Sequence, residues 1–236
     1  WDSYRFNPAF ANDGIFSIAA LKDTVWAATG FDKEVSGGSV QTGSGYAYST
    51  DGGQTWKGSP QTLDTRGDSL ISYGINDSVW ILPVVVPEQN VTFDISLTSG
   101  TVWIASWASG LRKSTDNGQH WKRILLPPDN RNSLHPYDTL WTYARTDTFR
   151  QRRIFDRFDP RHNNNMLAFA VLAIDRDTIW CGTAGGVNKS TNGGVSWQRF
   201  THQNQVSPIL GNWVIAIREQ SFSGTRRIWT TNWRAD

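Results

Sequence analysis

The residues with the clearest capacity for chemistry are arginines in one segment of the chain. Residues 145–162 hold six arginines, with three phenylalanines and three aspartates between them. Guanidinium groups among aromatic rings can bind anions, acidic glycans or nucleic acid through charge and stacking. The candidate binding residues are Arg150, Arg152, Arg153 and Arg157. The alternative is a solvated loop in which these arginines pair with neighbouring aspartates.

Catalysis by carboxylate side chains has weaker support in this sequence. Glycoside hydrolysis needs two positioned carboxylates, or a tyrosine nucleophile with arginines that hold an acidic substrate. Asp32, Glu34, Asp94 and Asp175 could be proposed as cleft acids, but no motif singles out any of them. For each of these acids, the alternative is a turn or surface group. We therefore predict no catalytic residue.

Metal and cofactor sites are not indicated either. The four histidines show no ligand spacing, and the glycine-rich residues 37–45 lack the Lys-Ser/Thr pair of a phosphate-binding loop. The lone cysteine, Cys181, is expected to be a small buried apolar residue. We predict neither metal nor cofactor.

One eight-residue phrase occurs three times and indicates how the chain is organised. It reads S-T-D-G-G-Q-T-W from residue 49, S-T-D-N-G-Q-H-W from residue 114 and S-T-N-G-G-V-S-W from residue 190. The hydroxyl and carboxyl oxygens can accept hydrogen bonds from backbone N–H groups of a turn, and glycine tolerates positive φ. The tryptophan supplies an apolar side chain that can anchor the turn. An asparagine oxygen can accept the same bonds in the third copy. The predicted turn residues are Ser49, Asp51, Gly53, Trp56, Ser114, Asp116, Gly118, Trp121, Ser190, Asn192, Gly194 and Trp197.

This phrase resembles the Asp-box, or BNR repeat. The resemblance implies an all-β fold, a β-propeller of four-stranded antiparallel blades in which each box closes the hairpin between strands three and four. Sialidases carry Asp-boxes, but their F/Y-R-I-P phrase is absent, since Tyr4-Arg-Phe-Asn7 shares only the arginine.

Short β-branched and aromatic runs before each box support four strands per unit. Four tryptophans occupy matching places in the second strands, and we expect all four to be buried between blades: Trp26, Trp103, Trp180 and Trp229.

The predicted organisation is a single β-propeller region over residues 1–236. Residues 1–10 would end a preceding blade, residues 14–66, 90–130 and 166–203 would form blades, and residues 212–236 would start another. Long insertions are expected at residues 67–89 and 131–165. The expected chain is thus a piece of a longer propeller, whose remainder would be one of its partners.

Three elaborations break the symmetry of the repeats, namely a Gly- and Ser-rich insertion at residues 31–44 and the two long connections. Strand order predicts that all three emerge on one face and the boxes on the other. Loops on a rigid scaffold commonly carry binding sites. The alternative is that they only cover blade edges.

The balance of 23 basic and 21 acidic residues gives a net charge of +2, which favours neither nucleic acid nor membrane binding. No apolar run is long enough for a membrane span. The sequence predicts a non-catalytic scaffold for a protein or glycan partner, in an exported protein of extracellular or periplasmic location. The alternative is a piece of a glycoside hydrolase or sialidase-like enzyme with catalytic residues partly elsewhere.

Overall fold

The computed structural model describes residues 7–139 and 158–233, and between them the backbone of two short strands at residues 143–146 and 152–155. Apart from two short 3-10 turns, Arg66–Ser69 and Asn164–Met166, the regular structure in these residues is β-strand. The all-β prediction is therefore confirmed.

Antiparallel sheets follow one another along the chain. The first sheet contains β1 (Gly14–Leu21), β2 (Thr24–Val35), β3 (Gly38–Ser49) and β4 (Lys57–Ser59), in that order. A separate hairpin follows, formed by β5 (Leu70–Tyr73) and β6 (Asn76–Trp80). The second sheet contains β7 (Thr92–Thr98), β8 (Thr101–Ser106), β9 (Gly110–Ser114) and β10 (Lys122–Ile124).

The third sheet has one strand more than the predicted four. Its meander is β14 (Ala168–Ala173), β15 (Ile179–Thr183), β16 (Gly186–Ser190) and β17 (Trp197–Phe200), and β11 (Ser133–Leu134) pairs with β17. Strands β12 (Tyr143–Thr146) and β13 (Arg152–Phe155) form a hairpin. The last sheet is the pair β18 (Val214–Phe222) and β19 (Thr225–Asn232).

The first strand of each sheet lies against its neighbours from other sheets. Strand β7 packs between β1 and β14, and β18 packs against β14. The second strands of the first three sheets are mostly buried where they pair within the sheets, and in β8 Val102, Trp103, Ile104 and Ala105 are all buried. This burial explains why these strands read as continuous apolar runs without polar alternation.

A tryptophan joins the first sheet to the box of the second, and another joins the second sheet to the box of the third. Trp26 and Trp103 are fully buried. A Cβ added at Gly118 in the second box would lie 2.6 Å from Cη2 of Trp26, and one at Gly194 in the third box would lie 2.9 Å from Cη2 of Trp103. Each ring therefore occupies the space that a side chain at the box glycine would need.

The cross-strand partner of each tryptophan covers one face of its ring. Trp26 pairs with Tyr48, Trp103 with Lys113 and Trp180 with Lys189. The Tyr48 ring stacks on Trp26 with a centroid distance of 4.8 Å, and Lys113 Nζ lies 5.2 Å from the Trp103 ring centroid. The same ring position is thus covered by an aromatic ring in the first sheet and by a lysine in the second and third.

The four tryptophans are equivalent in register but not in burial. They pair with Ala19, Ser96, Leu172 and Arg218, each three residues beyond the bulged residue in its first strand. Trp180 is only half-buried and Trp229 is 55% exposed, so the expectation of uniform burial is wrong. In the described residues, no box glycine of a following sheet covers either ring.

The first elaboration is not a loop. Strands β2 and β3 continue through residues 31–44 as a two-stranded ribbon, paired from Phe31 and Thr42 to Val35 and Gly38. The ribbon contacts the end of the first long connection, where Gly43 N donates to Pro87 O and Gln89 N donates to Gln41 O. We call the end of the sheets that carries the ribbon the mouth face, and the end that carries the boxes the box face.

The first long connection does not stay on the mouth face, and the prediction that all the elaborations share one face is wrong for its hairpin. Tyr73 Oη donates to Val195 O of the third box at 2.6 Å. Val79 and Ile81 are buried in one core with Trp103 and Trp197. The hairpin leaves the mouth face because its apolar side chains complete the core between the second and third sheets.

Buried polar residues close the base of each long connection. Asn90 Nδ2 donates to Thr62 O at 3.1 Å, and Asn165 Nδ2 donates to Pro127 O at 2.7 Å. Two arginines at matching places in β10 and β17 bind connection carbonyls, with Arg123 Nη1 on Leu82 O at 2.8 Å and Arg199 Nη1 on Asp129 O at 2.7 Å. Each connection is therefore fixed at its ends, because its buried carbonyls find partners in the sheets.

We predict that Gly118→Ala destabilises the protein more than Gly52→Ala does. Both glycines have positive φ, +78° and +70°, but a Cβ at Gly52 meets nothing within 4 Å, whereas one at Gly118 meets the Trp26 ring. Overpacking typically costs about 1–3 kcal/mol beyond the shared backbone strain. Urea unfolding of both variants measures this difference, and equal losses would disprove the tryptophan contact.

Candidate binding site on the mouth face

The three boxes form one hydrogen-bonded turn, repeated. In the first, Ser49 Oγ accepts from Gly53 N at 2.9 Å, Asp51 Oδ1 accepts from Thr55 N at 2.9 Å, and Trp56 Nε1 donates to Gly53 O at 3.0 Å. The second repeats the serine and aspartate bonds, through Gly118 N and His120 N. Their oxygens are thus used within the turn.

The third box keeps this geometry with an amide. Asn192 Oδ1 accepts from Ser196 N at 2.9 Å, and Asn192 Nδ2 donates to Ser196 Oγ at 2.8 Å. Hydrogen bonds from Thr55, through both its hydroxyl and its backbone N–H, lower the pKa of Asp51 to about 2. Bonds from His120 and Ser114 likewise lower the pKa of Asp116.

A residue that bulges from each first strand builds the mouth face. The pairing of β1 with β2, β7 with β8 and β14 with β15 skips one residue at the same place, and that residue is Phe16, Phe93 or Phe169. The bulge in β18 falls on Ile215. Bulges re-aim side chains, and here they produce a row in which neighbouring ring centroids lie 6.1 and 5.6 Å apart.

Three tryptophans extend the row. Trp107 N donates to Val91 O and Trp233 N donates to Trp213 O, so Trp107 and Trp233 occupy equivalent positions in the second and last sheets. The Trp107 ring lies 5.0 Å from Phe169, and Trp213 lies 5.7 Å from Trp233, between ring centroids. We call the six connected rings the aromatic rim: Phe16, Phe93, Trp107, Phe169, Trp213 and Trp233.

The aromatic rim borders a cavity of about 320 Å³. Among the described residues its lining adds Ser39, Val40, Gln41, Gln89 and Val91 to five of the rim rings, and it includes no ionisable side chain. Phe169 is buried, Trp107 and Trp213 are half-buried, and Trp233 is 70% exposed. The arrangement offers ring faces with a few neutral hydrogen-bonding groups, which is typical of a small-ligand site.

Asp94 is the one proposed cleft acid that lies inside the fold. Its Oδ2 accepts from Val171 N at 3.1 Å, its Oδ1 lies 3.4 Å from Ser17 Oγ, and Arg218 Nη1 is 3.6 Å from Oδ2. Burial raises the pKa of this carboxyl. Asp94 therefore ties β7 to the first strands of the neighbouring sheets, a role that its sequence position did not indicate.

The other three proposed acids lie in turns or on the surface. Asp175 caps the β14–β15 turn by accepting from Asp177 N and Thr178 N, while Asp32 and Glu34 are exposed on the ribbon. Burial raises the pKa of the Cys181 thiol, which is fully buried as predicted. In the described part of the chain, no three His, Cys, Asp or Glu side chains are grouped so as to hold a metal ion.

A larger cavity, of about 1260 Å³, lies between the β5–β6 hairpin and the second sheet. Its buried charges pair with one another, since Asp64 Oδ1 is 2.6 Å from Arg112 Nη2 and Asp64 Oδ2 is 3.0 Å from Arg123 Nη1. Burial, with repulsion from Arg112, lowers the pKa of Arg123 to about 10. We interpret this cluster as the attachment of the connection to the sheet.

The predicted arginine site lies outside what the structure describes. Arg150 and Arg157 are not among the described residues, and only the backbone of Arg152 and Arg153 is described, in β13. Their role in binding stays a prediction. Sequence reasoning missed the aromatic rim, although one signal was present: a phenylalanine recurs near the start of three first strands, at Phe16, Phe93 and Phe169.

Comparison with known proteins agrees with this architecture. Residues 47–57 match the model of the BNR/Asp-box repeat. No curated protein matches the sequence. With three Asp-box hairpins in successive antiparallel sheets, each built on a four-stranded meander, the chain has the architecture of β-propeller blades of the Asp-box type.

Solved structures with a similar course include YCF48 from Cyanidioschyzon merolae, at 14% identity and a TM-score of 0.44, over 87% of this chain and 46% of that one. A GH74 xyloglucanase from Xanthomonas campestris matches at 14% identity and a TM-score of 0.38, over 89% of this chain and 26% of that one. The extracellular domain of BT4673 from B. thetaiotaomicron matches at 14% identity and a TM-score of 0.35, over 93% and 26%. The chain spans less than half the length of each of these structures.

We predict that Asp51→Asn is tolerated at neutral pH, whereas Asp51→Ala lowers the melting temperature, because only an oxygen at this position can accept from Thr55 N. The pKa of Asp51 is depressed, so any advantage of Asp51 over asparagine is complete above the unfolded value of about 3.9 and is lost as the pH falls towards 2. Thermal melts of both variants from pH 7 to pH 2 measure this.

The matched control is Asp32→Asn, which removes an exposed ribbon carboxylate that caps no turn. A gap between wild type and Asp51→Asn that stays constant, or widens, below pH 4 would contradict the assigned hydrogen bonds.

Proposed function

We propose that this chain is a non-catalytic binding scaffold and that the aromatic rim is its binding surface. The observation that carries the proposal is the connected row of rings, partly open to solvent, around a cavity whose described lining holds no ionisable side chain. Aromatic rings and neutral hydrogen-bonding groups can hold a ligand, but they offer no acid, base or nucleophile.

The alternative function, glycoside hydrolysis, requires a pair of carboxylates across the substrate. Among the described acids, Asp94 combines a buried side chain with a raised pKa, as a catalytic acid would need. Its oxygens accept from the backbone of β7 and β14, which supports a structural role, and it does not line the rim cavity.

The partner and the cellular location of the protein remain proposals. A protein or glycan partner suits a rigid scaffold with a neutral aromatic surface. An extracellular or periplasmic location rests only on a composition rich in tryptophan and glycine. In the described residues, no helix has the length and apolar character to cross a bilayer.

To test the proposal, the fluorescently labelled chain is applied to an array of glycans and peptides, together with Trp107→Ala, Trp233→Ala and Trp229→Ala variants. Trp229 is the matched control, because it is also exposed and lies on the same hairpin as Trp233 but outside the rim. We expect specific array positions to bind the wild type and Trp229→Ala, and the two rim variants to lose about tenfold or more in affinity.

A parallel assay measures reducing ends released from soluble polysaccharides, with no release expected. No specific array binding, or binding that survives both rim substitutions, would refute the proposal. Release of reducing ends by the wild type, lost in Asp94→Asn at an unchanged melting temperature, would establish the enzyme instead.

A further inference from the structure

Gln89 adopts a left-handed backbone conformation, which is unfavourable for a residue with a long side chain. It is the third residue of the turn from Pro87 to Asn90, closed by Asn90 N on Pro87 O at 3.1 Å, and its φ is +56°. Turns that need a left-handed residue at this place take glycine or asparagine, because a larger side chain crowds the backbone. A glutamine here therefore retains a side chain where glycine would fit with less strain.

The backbone of Gln89 is held from both sides. Its N–H donates to Gln41 O of the ribbon at 2.8 Å, and its carbonyl accepts from Ala108 N, beside Trp107, at 3.1 Å. The other described non-glycine residues with positive φ are Lys22, Asn117 and Ser223, which lie in tight turns on the box face. Gln89 is thus the one such residue at the mouth face, in the part of the chain that the structure describes.

Gln89 lines the cavity of the aromatic rim together with Gln41 and Ser39. All three residues are exposed, and neither glutamine amide contacts a protein hydrogen-bonding group within the described residues. Backbone strain retained at a pocket wall, with a free amide at the end of the strained residue, points to use of that amide.

The lining restricts the chemistry of the ligand. An ionic ligand loses its hydration when it enters a cavity, and the described lining of this cavity has no charged group to compensate for that loss. Amides and hydroxyls both donate and accept hydrogen bonds, which matches a ligand carrying many hydroxyl groups. Ring faces carry negative charge density and attract the C–H groups that a sugar ring presents on its apolar face.

A proline-rich peptide is the other ligand that aromatic grooves commonly bind. Such a peptide presents mainly carbonyl acceptors, because proline has no N–H, and would use only the donor half of each amide. The paired donor and acceptor groups of Gln41, Gln89 and Ser39 therefore favour the saccharide.

We infer that the aromatic rim binds a neutral saccharide, stacked on the rings, with the Gln89 amide bonded to its hydroxyls. This inference rests on the proposed function of the rim as a binding surface. To that function we add the class of ligand, a neutral saccharide, and the residue that recognises its hydroxyl groups, Gln89.

The test titrates the full chain with cellotetraose, maltotetraose and N-acetylchitotetraose, and with a decaproline peptide, by tryptophan fluorescence and calorimetry. Gln89→Gly is the diagnostic variant, and Lys22→Gly is its matched control, since Lys22 has φ +54° in the β1–β2 turn away from the rim. Both variants relieve the same kind of strain, so neither should lower the melting temperature.

We expect saturable binding of at least one tetrasaccharide, weakened about tenfold by Gln89→Gly and unchanged by Lys22→Gly. No saturable saccharide binding, or equal affinity for the wild type and Gln89→Gly, overturns the inference. If decaproline binds and Trp107→Ala abolishes that binding, the saccharide is wrong but the proposed binding function stands. If neither these probes nor the array binds, both fail.

Discussion

The contact between a second-strand tryptophan and the box glycine of the next sheet is the interaction on which this architecture depends. Gly118 and Gly194 have positive φ, as their own turns require, and the absence of a side chain leaves room for Trp26 and Trp103. One residue therefore satisfies a local constraint and a tertiary one. Because each ring is large and fully buried, it adds a large apolar side chain to the core between neighbouring sheets.

Once the sheets are stacked through these contacts, their first strands lie side by side, and the bulges in them acquire a common direction. A bulge in a single hairpin would bend the strand and redirect one side chain. Three bulges in adjacent strands bring Phe16, Phe93 and Phe169 into one row at the mouth face. Asp94 braces this region from within, through β14 and Ser17. The candidate site is thus a product of the repeat as well as of the elaborations.

The elaborations divide between two tasks. The ribbon of β2 and β3 meets the turn at Gln89 and completes the rim cavity. The β5–β6 hairpin instead leaves the mouth face and fills the core between the second and third sheets, reaching the third box through Tyr73. The hairpin carries apolar side chains of its own, and burying them in the core between the sheets is favourable. This burial decides where the hairpin packs, although the connection starts and ends on the mouth face.

The sequence by itself determined the boxes, the strand order and the equivalence of the four tryptophans. These features depend on hydrogen bonds between residues two to four positions apart, as between Ser49 and Gly53, and on apolar runs that repeat with the chain. The unequal burial of the tryptophans, the course of the first long connection and the aromatic rim were decided only by tertiary structure. Each arises from residues far apart in sequence, such as Trp107 and Trp213, whose meeting depends on how successive sheets stack.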